Sequence, residues 1–443
     1  MNIVYIHAHD LGRYCEPMGY AIPAPNMMKL SKQGVLFRNA HSSAPSCAPS
    51  RAALTSGQYP HSCGMMGLPT THLGYRFKNY KHHISNFFKD EGYITALAGV
   101  QHEAHLPFAD PEKELGYMYY LDKNPNHHQG FQPDRTTGAS IEFLQQTHDK
   151  PFFLSIGYLD PHRNNRNDNR TFIDAYDIEE PENIDADAAY CQPMPHLPDN
   201  PITRRETANF KMGVESLDKE LGQLLNVLNS KYHKENTLVI FTTDHGPGFS
   251  EMKCTLSDRG TGVVLIVRGC EKSGFIPSGK ANDALVQHMD LFPTLCELCG
   301  LDKPAWLQGK SLVPLLREDT TSIHSAIFTE QTYHGCPKVR PFRSVRTDRY
   351  RYTYCYKTDA PRGVDPGPAQ EWLGNHGYFE KAHAEESLFD LYYDPHEANN
   401  IVGNPDYQEV LEQMRKKLKE WQEDTDDPIR HGDIPVPPVL AQK

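Results

Sequence analysis

Cys47, Pro49, Ser50 and Arg51 stand together in Ser46-Cys47-Ala48-Pro49-Ser50-Arg51, and the chemistry they could do is nucleophilic attack on a bound anion. Pro45 breaks the preceding segment and Ser50 onward reads as a helix, so Cys47 falls close to a helix N-terminus. Unpaired backbone N–H groups and the helix dipole favour negative charge there. Arg51, on the first turn, can make a forked contact with a tetrahedral oxyanion. Four other clusters collect imidazoles and carboxylates: His7-Ala8-His9-Asp10, Gln101-His102-Glu103-Ala104-His105, Asp160-Pro161-His162-Arg163 and Asp244-His245-Gly246. Such side chains hold metal ions and move protons near neutral pH. Any one of them alone is commonly a turn former or helix cap, and a lone cysteine before a helix is commonly a small buried side chain.

Elements must bring these residues together. Short apolar runs at 3–7, 94–98, 152–158, 238–242 and 263–267 read as buried strands. Helical patterns at 27–33, 50–55, 84–89, 138–146, 207–228 and 290–298 lie between or after them. Strands alternating with helices predict an α/β fold with a large, mostly parallel sheet flanked by helices. Ligands of such sheets bind outside the carboxyl ends of the strands. The four clusters follow four of the predicted strands. One metal-assisted or acid–base site built from 9–10, 102, 162 and 244–245, with Cys47 in it, is therefore more economical than four unrelated turns.

From about residue 341 the texture changes. Segments 342–346 and 350–354 read as a hairpin around 347–349, and a helix spans about 407–423. The expected division is a catalytic α/β domain over 1–335 and a smaller C-terminal α+β subdomain with an antiparallel sheet over 336–443. The Asn-, Asp- and Pro-rich stretch 164–201 reads as a long loop, and long loops in compact domains are often functional.

With 443 residues, one large and one smaller domain is the natural prior. Net charge is −12, which argues against nucleic acid as a partner and requires cations to be concentrated locally for an anion to bind. No apolar run approaches the roughly 20 residues of a membrane span. No leader precedes residues 2–6, so the expectation is cytoplasmic as written, or periplasmic or secreted if a signal peptide has been removed. The ten cysteines form no dense disulfide framework. Cys296 and Cys299 lack a second pair at zinc spacing and read as the last turn of a helix stopped by Gly300.

Cys47-Ala48-Pro49-Ser50-Arg51, running into Ala52-Ala53-Leu54-Thr55-Ser56-Gly57, resembles the signature of the formylglycine-dependent sulfatases of the alkaline-phosphatase superfamily. The opening strand leading to Asp10, Phe241-Thr242-Thr243-Asp244-His245-Gly246, Lys253 before Thr255-Leu256, and Asp290-Leu291-Phe292-Pro293-Thr294-Leu295 are also similar to family stretches. Within the family, Val35-Leu36-Phe37-Arg38-Asn39-Ala40, Gly64-Met65-Met66-Gly67-Leu68, Asp160-Pro161-His162-Arg163, Arg343-Ser344-Val345 and Asp394-Pro395-His396-Glu397 resemble the heparan N-sulfatases (sulfamidases). The similarity covers nearly the whole chain. Two places depart from the pattern. His9 stands where the family has an aspartate, and Val100 and Gln101 stand where it carries a lysine before the histidine matching His102. His9, His105 or Arg163 could compensate.

The resemblance implies a sulfuric ester hydrolase acting on a sulfate ester or N-sulfate of a sulfated saccharide, in glycan degradation. Cys47 would be oxidised to formylglycine by a formylglycine-generating or anaerobic maturation enzyme, and the aldehyde hydrate would attack sulfur. One divalent metal would be held by Asp10, Asp244, His245 and the modified Cys47, with His9 as a further ligand. Calcium is expected, with Mg2+, Mn2+ or Zn2+ admitted by the imidazole. Arg51 and Lys253 would neutralise sulfate oxygens, His162 would protonate the leaving group, and His102 would help release sulfate. The competing readings are a phosphomonoester or phosphodiester hydrolase of the same superfamily, and a non-catalytic glycan-binding relative. Tyr117, Tyr119 and Tyr120 are read either as stacking faces for sugar or as packing.

Overall fold

The computed structural model describes residues 1–69, 74–105, 109–122, 133–163, 172, 187–334, 339–362 and 367–437. Cys336 and most of the expected loop at 164–201 lie outside them.

The first sheet is built from β1 (Asn2–Ala8), β2 (Val35–His41), β3 (Ile94–Gly99), β4 (Tyr119–Tyr120), β5 (Phe152–Gly157), β6 (Thr237–Thr243), β7 (Gly262–Arg268), β8 (Lys280–Asn282) and β9 (Val286–Gln287). Its order is β4-β3-β5-β1-β6-β7-β2-β8, with β9 also on β2. All described pairs are parallel except those of β7, which runs antiparallel to β6 and β2. The central strand β1 pairs Val4 with Leu154 and with Val239. Every residue of β1 is buried. Successive side chains point to opposite faces, so a strand covered on both sides reads as a continuous apolar run. Val4, Ile6 and Ala8 join one core cluster with Leu217, Leu221 and Leu224 of the long helix Pro201–Leu228. Ile3 and Tyr5 join another with Leu54, Phe88 and Phe292.

The expected mostly parallel α/β architecture is present, and four strands, β2, β4, β8 and β9, are additions to it. β2 was not foreseen because Arg38 and Asn39 interrupt its apolar run. The structure puts a register shift there, between Phe37 and Ala40, which turns those two polar side chains toward solvent. The long helix starts at Pro201, six residues before its apolar periodicity begins. Asn200 caps it, accepting from Thr203 N–H at 3.0 Å, while Thr203 Oγ1 accepts from Asn200 N–H at 3.2 Å. Cys296 and Cys299 lie in the last turn of the helix Leu291–Cys299, which Gly300 ends at φ +68°.

The second sheet is antiparallel, β10 (Ile327–Gln331), β11 (Phe342–Arg346), β12 (Tyr350–Cys355) and β13 (Glu386–Asp390) in spatial order. One of its strands thus precedes residue 336. Leu411, Met414, Leu418 and Trp421 of the terminal helix Gln408–Asp424 pack on Val345, Tyr352 and Leu388. No described helix is long and apolar enough to cross a membrane.

Candidate active site

Five parallel strands deliver the candidate residues to one edge. β1 runs into His9 and Asp10, β3 into His102, β5 into His162, β6 into Asp244 and His245, and β2 leads to Cys47. Two glycines let the strand ends meet. A Cβ on Gly99, at φ +78°, would lie 2.0 Å from Gly157 O, and one on Gly157 would lie 2.1 Å from Val100 O. Asp10 and His102 themselves occupy the left-handed region, at φ +56° and +64°. Non-glycine residues hold that conformation only where the surroundings fix it, which is common at functional sites.

Cys47 is the first residue of the helix Cys47–Ser56, with Ser46 as N-cap. Its thiol lies 3.4 Å from His245 Nε2. The His245 Nδ1–H donates to Gly246 O at 2.8 Å, which leaves Nε2 as the bare nitrogen facing Cys47 Sγ and, at 3.4 Å, Asp10 Oδ1. A carbonyl that fixes the tautomer in this way is the usual support of a metal-binding imidazole. Asp244 Oδ1 accepts from the N–H groups of Asp10 and His245, both at 2.9 Å. Donor atoms of Asp10, Cys47, Asp244 and His245 all lie within 4.8 Å of one another, and all four residues are buried. Two carboxylates, one bare imidazole nitrogen and one side chain on a helix N-terminus fit a divalent cation.

His9 belongs to a second, overlapping donor group with Asp10, Cys47 and His162. Its Nδ1 is 2.8 Å from Asp10 Oδ1 and 3.3 Å from Asp244 Oδ2, and its Nε2 is 3.4 Å from His102 Nδ1. The Lys253 ammonium already sits in that second group. Its Nζ donates to Asp10 Oδ2 at 2.7 Å and lies 3.3 Å from His162 Nε2. Glu251 and Cys254, on either side of Lys253, have φ +59° and +62°. His162 donates from Nδ1 to Arg163 O at 2.6 Å, so Nε2 is the nitrogen turned toward Lys253 and the site, and its side chain is 17% exposed.

Arg51 is fixed from three sides. It donates to Asp244 Oδ2 at 3.1 Å, to Ala8 O at 3.2 Å, and to His7 Nδ1. Burial, then Arg51, holds His7 well below the usual imidazole range, so His7 is the neutral acceptor a guanidinium needs. His7 was visible in the sequence as part of the first cluster, but its service to Arg51 was not. Ser50 Oγ donates to Asp244 O at 2.5 Å, and Ser46 Oγ lies 2.8 Å from His334 Nδ1. These two contacts had no signal beyond proximity to Cys47.

The charges shape one another. Burial opposes ionisation of Asp10, but Lys253, His162, His245 and His9 override it and hold the carboxyl well below its usual range. Asp244 is held low against burial by His245, His9 and Arg51. Burial pushes the Cys47 thiol well up. Burial pulls His9 down, and burial with His9 and Arg51 as neighbours pulls His102 down.

Arg163 does not reach toward the site as a substitute cation. It is buried, donates to Glu206 and to Gly248 O, and lies 4.1 Å over the Phe172 ring. Gln101 folds onto its own loop, accepting from Glu103 and Ala104 N–H at 2.5 and 2.9 Å. His105 is exposed. Tyr117 packs in the core and Tyr120 donates to Gly99 O at 2.9 Å, whereas Tyr119 is 51% exposed.

Known proteins resemble this chain in sequence and fold. The sulfatase family model matches residues 1–301, and the model described as N-sulphoglucosamine sulphohydrolase, C-terminal, matches residues 258–362. Human N-sulphoglucosamine sulphohydrolase is 27% identical over 464 residues, spanning 92% of this chain and 87% of its own. The Delta 4,5-hexuronate-2-O-sulfatase of Bacteroides thetaiotaomicron is 25% identical over 462 residues, spanning 93% and 85%. A protein solved with its substrate D-glucosamine-2-N,6-O-disulfate has the same fold, with a TM-score of 0.71 at 18% identity over 96% of this chain and 98% of the other. Signature cysteine, strand-end clusters and a family match over more than half of its length agree: the chain belongs to the sulfatase family.

Proposed function

We propose that this chain removes sulfate from a sulfated saccharide at the Cys47 site. The observation that carries the reading is the placement of Cys47. It opens a helix, within 4.8 Å of an Asp–Asp–His donor set, with Arg51 and Lys253 bound to the two carboxylates of that set.

Asp10, Asp244 and His245 would hold a divalent ion together with the group derived from Cys47. Calcium suits the carboxylates, and the imidazoles of His245 and His9 admit Mn2+ or Zn2+. When bound, the ion polarises a sulfate oxygen and favours ionisation of the nucleophile. Oxidised to formylglycine, Cys47 would supply that nucleophile as a hydrated aldehyde, and a maturation enzyme of the formylglycine-generating or anaerobic kind is then a required partner.

The chain's own residues do the rest. Arg51 is locked by His7, Ala8 and Asp244, so its charge needs no reorganisation when negative charge shifts onto sulfate oxygens. Lys253 provides the opposite cation, held by a loop with two left-handed residues. His162 Nε2 can take a hydrogen from Lys253 and pass it to the departing sugar oxygen or nitrogen, because Nδ1 is committed to Arg163 O. His102, beside His9, is placed to assist sulfate release. The curated relatives named above act on N-sulfate and on 2-O-sulfate, and the leaving atom here is assigned by experiment. Turnover of a panel of N-, 2-O- and 6-O-sulfated disaccharides, with and without chelator, tests the reading. Sulfate release from at least one, lost with Cys47→Ala, is expected. Full turnover by Cys47→Ala would contradict it.

A further inference from the structure

Beside the loop that carries Lys253, two guanidinium groups and an imidazole gather around one carboxylate. Arg340 is 4% exposed, and its Nε is buried without a hydrogen-bond partner. Arg362 donates from Nη2 to Glu251 Oε2 at 2.9 Å, and its Nε is also buried without a partner. His383 Nε2 is a third such nitrogen. The Phe342 ring joins the group, with Arg340 Cζ 5.8 Å and the His383 ring 4.9 Å from its centroid. The Glu251 carboxylate acts on both Arg340 and His383. One carboxylate therefore faces two guanidinium groups and is already bound to the second. Burial, then the two arginines, pulls His383 down to about 4, so the excess of positive charge is felt there.

A buried guanidinium without a counterion is costly. A fold that keeps one gains where a ligand brings the missing anion. The position suits a ligand of the Cys47 site. Glu251 and Lys253 are two residues apart, so their Cα atoms are no more than about 8 Å from each other. Cys254 N–H donates to Pro45 O at 2.8 Å, which ties this loop to the segment before Cys47. Tyr378 is 45% exposed with Arg362 Cζ 5.4 Å from its ring centroid, giving an aromatic face at the surface beside that half-buried guanidinium. Exposed tyrosine rings stack on other rings at low entropic cost.

We propose that Arg340 and Arg362 form a second anion subsite, which binds a sulfate or carboxylate on a sugar unit neighbouring the one that loses sulfate, with Tyr378 against the ring of that unit. The substrate class is then an oligosaccharide with at least two acidic groups. This rests on the saccharide-sulfatase reading, and a binding experiment separates the two. In a Cys47→Ala background, affinities are measured for a sulfated tetrasaccharide with carboxylate-bearing units, for a monosaccharide with a single sulfate, and for inorganic sulfate. Arg340→Met should weaken the tetrasaccharide about tenfold or more. It should leave the monosaccharide unchanged, and it should raise Tm without ligand because the buried guanidinium that shares Glu251 with Arg362 is gone. Arg362→Gln should weaken the tetrasaccharide selectively as well, and it remains the test if the first variant does not fold. Equal weakening of tetrasaccharide and monosaccharide would make these arginines supports of the Lys253 loop and overturn the subsite, as would unchanged tetrasaccharide binding. Inorganic sulfate binding as tightly as the tetrasaccharide would overturn its assignment to a glycan. Absence of binding by either saccharide before Arg340 or Arg362 is changed would instead contradict the function proposed above.

Discussion

Proton and charge handling at the site depend on a few atoms. His162 offers only Nε2 to the site, and Lys253 bridges it to Asp10. If His162 protonates the leaving group, His162→Ala should lose about 10²–10⁴ in kcat on alkyl or amine leaving groups. It should lose far less on an aryl sulfate, whose leaving phenolate needs no proton. Comparing the two substrates checks this, and equal losses would move the role to another residue. Lys253→Met removes a charge that would meet sulfate oxygens and should cost about 10²–10³ in kcat, read by steady-state kinetics. The residues that carry this chemistry were legible because imidazoles and carboxylates recur directly after apolar strands. Their supports were less legible. His7 is a neutral acceptor, so its role appears only when the Arg51 guanidinium is seen to end on its ring. Arg163 looked like a spare cation until Glu206 and Phe172 were found around it.

At the scale of elements, the site exists because five parallel strand ends converge, and close approach of two of them requires glycine. Gly99→Ala would put a methyl 2.0 Å from Gly157 O at a left-handed φ. It should destabilise the fold by about 2 kcal/mol or more and displace His102, lowering both the denaturation midpoint and kcat. The cap of the long helix is a milder case. Asn200→Ala removes a capping box and should cost about 1 kcal/mol in chemical denaturation with kcat retained. Apolar runs made β1, β3, β5, β6 and β7 legible. The polar break at Arg38 and Asn39 hid β2, and the polar first turns after Pro201 hid the start of the long helix. In both places local polarity interrupts the apolar pattern of an element that tertiary packing continues, at the surface for Arg38 and through buried Thr203 and Glu206 for the helix.

For the molecule as a whole, the second sheet is fastened to the rest of the chain by buried charge. Arg343 of β11 donates to Asp427 at 2.6 and 3.0 Å, next to Glu330 of β10, which in turn binds His61 at 2.7 Å. Burial would raise the Asp427 carboxyl, but Arg343 overrides it and holds it at about 2. A carboxyl depressed in the folded state stabilises above its unfolded pKa of about 4, and the gain of about 2 kcal/mol is lost as pH falls from about 4 through about 2. Asp427→Asn should abolish that part of the acid dependence in thermal unfolding while lowering Tm at neutral pH. Chain-wide similarity made the fold class and family legible, whereas sequence spacing alone could not show that the second sheet borrows Ile327–Gln331 or that Arg340 Nε is buried without a hydrogen-bond partner. The central claim, that Cys47 is the precursor of an aldehyde nucleophile, is tested most directly by the intact mass of the whole chain made with and without a formylglycine-generating enzyme, alongside its sulfatase turnover. The account predicts that the mass falls by the exchange of a thiol for an aldehyde, localised to the Cys47 peptide, and that turnover rises in proportion to the modified fraction. Full turnover by a chain whose Cys47 is still a thiol would contradict it.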